Sequence, residues 1–149
     1  MVEASFSLLL FLGFIFLIID LSMGIFLKAT LQNAVRAGVR YAVTSQTSGS
    51  LGQVASIKQV VQSQAMGFLS ASDLTTYVNV TFYSVNTNPP ALVTGVGSNM
   101  AGNMVIVSVN GWPFKPLAPV LHSGAAIPLT VSSGDLIESS GTGGSPPPL

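Results

Sequence analysis

The chain has 149 residues, of which 48% are apolar and only 7% charged, against roughly 25% charged in an ordinary soluble domain. Five acidic and five basic residues give a net charge of zero, which excludes a disordered charged tail and a broad cationic nucleic-acid surface and favours association over a freely soluble monomer. With no cysteine and one histidine, His122, there is no material for disulfides or thiolate metal sites and little for a His-based catalytic centre.

From Ala4 to Leu27 the chain is apolar on every side, interrupted by one charge, Asp20. As a helix these residues span about 36 Å at 1.5 Å per residue, enough to cross a bilayer core of about 30 Å. The run is too long for a signal-peptide core and lacks a small-residue cleavage site, so it reads as a membrane-inserting helix. Only Glu3 among charged residues precedes it, and Lys28, Arg36 and Arg40 follow, which by the positive-inside rule would put the rest of the chain in the cytoplasm. The Ser/Thr/Asn-rich later sequence has the character of an extracytoplasmic module. A short basic leader removed from ahead of Met1 would reconcile the two.

Beyond Leu27 the helix is expected to continue to about Val43. Leu31, Ala34, Val35, Gly38, Val39 and Ala42 mark a buried face, and Lys28, Gln32, Arg36 and Arg40 a solvated basic stripe. Ala34, Gly38 and Ala42 form a small-xxx-small series that permits close approach of another backbone. A bulky residue at Gly38 should break that packing, whereas Gly38→Ala is expected to be mild because alanine is the better helix former. Gly13 and Gly24 are candidate points for bending or close approach.

Thr44–Gly52 is dense in turn formers, and Val54, Ile57, Val61, Ala65 and Phe68 then mark a second amphipathic helix ending near Leu69. Ser72 and Asp73 read as a turn. Tyr77–Val85 alternates as a half-buried strand. Residues 86–102, with two prolines and three glycines, read as a long exposed loop. Asn103–Asn110 and Ala126–Ser132 are further strands, the latter demoted towards an edge by Pro128. Trp112–Val120 is too proline-rich for a helix, and Gly141–Leu149 reads as a flexible stretch followed by a polyproline II segment. The expectation is an α+β chain in three parts: a helix over 1–43, a small antiparallel sheet domain over 44–138, and a Gly/Pro-rich tail over 139–149.

The start MVEASFSLLLFLGFIFLIIDLSMG resembles the TadE-like pilins of the tight-adherence branch of type IV pilus systems. Leu31–Val43 is similar to that family's Ala-Ala-Arg-x-Gly-Ala-Arg-Tyr-Ala segment. Met104–Pro119 resembles its late strand and Tyr-x-Phe-x-Pro-Leu step, and Ile127–Glu138 its last strand and acidic residue. Glu3 departs from the pattern, because the early acid of type IV pilins usually stands fifth in the mature chain. The resemblance implies a subunit of an extracellular prokaryotic filament serving adhesion. Its partners would be a prepilin peptidase at the inner membrane, an ATPase-driven assembly platform, and copies of itself.

The chemical motifs are weak. Gly95–Met100 fails the G-x-G-x-x-G pattern at its last position. Asn79-Val80-Thr81 fits a glycosylation sequon inside a predicted strand, where chance is the simpler reading. His122 stands without motif partners. Neither a catalytic group, a cofactor nor a metal is expected, since Asp135 and Glu138 are too few for a calcium site and are expected instead to meet Arg36 or Arg40. The residues expected to govern assembly are Met1, Glu3, Asp20 and Lys28. Glu3 would pair with a Met1 amine, and Asp20 with Lys28 of a copy staggered by about 12 Å. A protonated Asp20, or one bonded to the Ser22 hydroxyl or a carbonyl near Gly24, is the competing arrangement. Two other functional readings stand beside the filament subunit: a minor or priming pseudopilin retained in the inner membrane, and a single-pass anchored binding module using the 86–102 loop.

Overall fold

The computed structural model describes residues 2–48, 50–116, 126–138 and 146–149. Helix α1 runs unbroken over Val2–Val43, followed by α2 (Gln53–Gln64), α3 (Ala71–Thr76) and four strands, β1 (Val78–Ser84), β2 (Ala91–Val93), β3 (Asn103–Phe114) and β4 (Ile127–Leu136). The strands form one antiparallel sheet in the order β2-β1-β3-β4. This is the expected α+β arrangement of a long apolar helix, short helices and a small antiparallel sheet.

Helix α1 changes character at Leu27. Up to Phe26 its large apolar side chains are mostly exposed, from Phe6 at 64% to Phe26 at 48%. From Leu27 onward Leu31, Ala34, Val35, Gly38, Val39 and Ala42 are buried, and they join Ile57 and Val61 of α2 and Val105, Val107 and Val109 of β3 in one core. A core-facing stripe no wider than one helix face leaves Arg36 and Arg40 in solvent. Gln32, in the same stripe, reaches the sheet, its amide donating to the Ser132 carbonyl at 3.0 Å.

Gly38 sets the distance between α1 and α2. A Cβ built on it would lie 2.6 Å from Val61 Cγ2, 3.5 Å from Ile57 Cγ2 and 3.7 Å from Val107 Cγ1. Val61 and Ile57 are fully buried and short, so neither can swing aside. The expectation that Gly38→Ala is mild is therefore corrected: even one methyl overfills this site. Gly24 approaches Phe114 at ordinary contact distance, 3.5 Å from a built Cβ, and Gly13 has nothing within 4 Å. Neither interrupts the helix.

Three elements differ from expectation. Helix α2 stops at Gln64 because Met66 and Gly67 both take left-handed backbone (φ 53° and 83°), unwinding the chain five residues before Leu69. The expected turn at Ser72-Asp73 is the short helix α3. Ser70 caps it, and the Asp73 carboxylate accepts the Ser70 backbone N–H at 2.8 Å. The expected long loop contains β2, whose three residues pair with Phe82, Tyr83 and Ser84. Within that loop Ser98 and Asn99 are buried, which leaves less of it exposed than expected. Strand β4 is an edge strand, as Pro128 implies, and runs on through a Ser-Ser-Gly step to Leu136 because β3 continues to pair with it.

The polar core was not anticipated. Gln53, fully buried at the start of α2, donates to the Ala42 carbonyl at the end of α1 (3.1 Å) and accepts from Asn99 Nδ2 (2.6 Å). Asn99 also donates to the Pro147 carbonyl at 2.8 Å, and the Gln53 backbone N–H donates to the Pro148 carbonyl at 2.7 Å. Residues 146–149 thus return to the first turn of α2, packed so closely on Gly52 that a Cβ there would strike the Leu149 backbone. The flexible stretch expected from Gly141 up to the prolines lies outside the described residues.

Gly38→Ala is expected to lower stability by about 1 kcal/mol. Overpacking costs about 1–3 kcal/mol and exceeds the gain of about 1 kcal/mol in helix propensity. Gln53→Ala, which strands the Ala42 carbonyl and an Asn99 amide proton, is expected to cost about 2 kcal/mol. Denaturant unfolding of the detergent-solubilised chain measures both.

Candidate functional site

The charged residues singled out in the sequence divide into two groups. Glu3 stands exposed near the start of α1; Met1, its expected partner, lies outside the described residues, as does His122. Asp20, by contrast, is 3% exposed although its neighbours Ile19 and Leu21 are 46% and 64% exposed. The folded domain of the same chain covers it.

An open groove beside α1 is lined by Asp20, Leu21, Gly24, Ile25 and Lys28 on the helix and by Phe114, Pro116, Ile127 and Leu129 from β3 and β4. Asp20 and Lys28 therefore line one groove within one chain. The burial of Asp20 is achieved without a neighbouring subunit. The Ser22 hydroxyl, one competing partner, instead donates to the Ile18 carbonyl at 2.8 Å.

A bulge brings the sheet's end onto the helix. The β3–β4 register shifts between Val109 and Trp112, with Gly111 at φ 67°. The extra residue increases local twist, and beyond it Trp112, Pro113 and Phe114 face Leu129, Pro128 and Ile127. At the same end of the domain, Phe68 meets Phe26 of α1 edge to face, with ring centroids 6.2 Å apart.

Asp73 also belongs to this end. Its carboxyl is held below its ordinary value of 3.8 by the Ser70 backbone N–H, then by the Ser70 hydroxyl, with a further hydrogen bond from Trp112; partial desolvation acts the other way. The four charges expected to pair are not brought together. Arg36, Arg40, Asp135 and Glu138 are all exposed, Asp135 accepts its neighbour Leu136's backbone N–H at 2.8 Å, and among the described residues no ion pair joins these groups. Helix capping is the missed signal at Asp73: Ser70-x-x-Asp73 is a shortened capping box. Among the described residues no three His, Asp or Glu side chains gather as a metal site would require.

Comparison with known proteins agrees with the helix. A long N-terminal helix, apolar enough to cross a membrane, leading into a small sheet domain defines a pilin-like class of protein. A family model described as TadE-like protein matches residues 1–40. The match is confined to α1, so what the chain shares with TadE-like proteins is this N-terminal segment. No curated protein and no solved structure matches the chain.

The capping carboxylate carries a pH dependence. Because the folded pKa of Asp73 is lower than the unfolded one, its contribution is complete at neutral pH and is lost as pH falls through and below the ordinary carboxylate range. Acid titration of thermal stability is expected to show a smaller loss in Asp73→Asn than in the parent, the two curves converging at low pH.

Proposed function

We propose that this chain is a filament subunit of an extracellular Tad-type pilus that attaches prokaryotic cells to surfaces. The observation that carries the reading is the exposed first half of α1, where Phe6, Leu8, Leu9, Leu10, Phe11 and Phe14 are each at least 60% exposed. Fully burying such a side chain is worth about 1.5–3 kcal/mol, so a dozen of them in water would exceed the whole stability of a typical domain, about 5–15 kcal/mol. Lipid covers them before assembly, and the equivalent helices of other copies cover them in the filament. A head-to-tail contact between identical subunits that does not close yields an open helical polymer. A prepilin peptidase and an ATPase-driven platform would act on the membrane-held form, as the family implies.

Within this reading Glu3 acts in assembly. A carboxylate at the edge of an apolar helix is costly to bury unpaired, so packing Glu3 between helices calls for a polar partner from a neighbouring copy.

Shearing of producing cells tests the proposal. The chain is expected chiefly in the sheared, sedimentable filament fraction, and Glu3→Ala is expected to reduce that fraction severalfold while leaving the membrane pool intact. Recovery of the chain only from membranes, with filaments present but lacking it, would favour the priming pseudopilin instead.

A further inference from the structure

We propose that the β3–β4 end of the sheet is a second membrane-contact element, lying against phospholipid beside α1 in the unassembled subunit. This rests on α1 being the membrane anchor, and the observation behind it is one of level. Phe114 packs over Gly24, and Pro116 and Ile127 share a groove with Asp20 and Leu21. Gly24 and Asp20 precede Lys28 by about 6 Å and 12 Å along the helix axis.

If the hydrocarbon ends at Lys28, the sheet's end stands one to two helical turns inside it. Moving the boundary down to Asp20 leaves residues 3–19, 17 in all, or about 26 Å of helix for a core of about 30 Å. That is the short end of what spans, so the boundary is expected nearer Gly24 and Lys28, where Phe114 packs. With the boundary anywhere from Gly24 to Lys28, this end of the domain lies at the bilayer surface or within it.

The chemistry of the end suits that position. Ile127 is 43% exposed and Pro128 is exposed beside it. The cations at this end, Lys28 and Lys115, are exposed and can meet headgroup phosphates while their stems stay on apolar surface. Trp112, just above, has the interfacial character expected of tryptophan at a membrane boundary. The Asp73 carboxylate is held by the backbone N–H and hydroxyl of Ser70, and Asp20 is buried. The exposed carboxylates Asp135 and Glu138 lie at the other end of β4 and just beyond it, away from lipid. The occupant is therefore a phospholipid surface rather than a soluble ligand.

The chain has no cysteine, so single spin labels report depth directly. Phe14→Cys, Ile127→Cys and Asp135→Cys are each labelled in the full chain, reconstituted in vesicles of mixed neutral and anionic phospholipid. Collision with oxygen, enriched in hydrocarbon, is compared with collision with a water-soluble nickel chelate. The expected result is oxygen dominance at positions 14 and 127 and nickel dominance at 135. Nickel dominance at 127 with oxygen dominance at 14 would overturn the proposal and leave the anchor standing. Protection of 127 from both reagents would mean that protein, not lipid, covers this end and would overturn it equally. Nickel dominance at 14 would remove the anchor itself, and this proposal with it.

Discussion

One continuous helix has to satisfy two environments. Its first half is apolar on all sides and its second half on one side only, and the change falls at Leu27 with no break in the backbone. The folded domain covers a single face of the second half, which leaves the first half to lipid or to other helices. Every other feature of the molecule is arranged around that division. The core forms where α1 becomes one-sided, and the polar and charged residues concentrate beyond it.

Close approach, rather than added apolar bulk, holds the domain to the helix. Ala34, Gly38 and Ala42 present almost no side chain, so α2 and β3 pack nearly against the α1 backbone. Beyond the bulge at Gly111 the end of the sheet lies against the apolar half of α1, with Phe114 over Gly24. One consequence is that Asp20, the only charge inside the apolar run, is covered by its own domain. A carboxylate facing hydrocarbon would be expensive; one covered by its own domain is kept from lipid whether the subunit is single or assembled.

The buried polar cluster serves the opposite end of the domain. Gln53 joins the last turn of α1 to the first turn of α2 and holds the Pro148 carbonyl through its backbone N–H, and Asn99 ties the β2–β3 connection to Gln53 and to the Pro147 carbonyl. Asn99 Oδ1 is buried with no hydrogen-bond partner among the described residues. Since buried amides without partners cost stability, this cluster is where the fold is most sensitive to polar substitution. The groups gathered here are amides and carbonyls, which hold segments together and supply neither nucleophile nor general base.

The helix, its apolar length, its buried face and the central strands were legible in the sequence because each depends on local periodicity. Val78 and Phe82 of β1, and Leu31, Ala34, Val35, Gly38, Val39 and Ala42 of α1, face the core as their spacing requires. The family resemblance was legible for the same reason, since its strongest motif is the apolar run itself. Only the tertiary structure decided what depends on partners distant in the chain. It made Gly38→Ala costly through Val61, extended β4 through its pairing with β3, and formed β2 by pairing against β1. It brought residues 146–149 back to Gln53, which composition alone marked as a free tail. It also buried Asp20, which the sequence leaves inside a run apolar on every side. Periodicity records which face of an element is buried, whereas the depth of that burial and the atoms that meet there are set by packing.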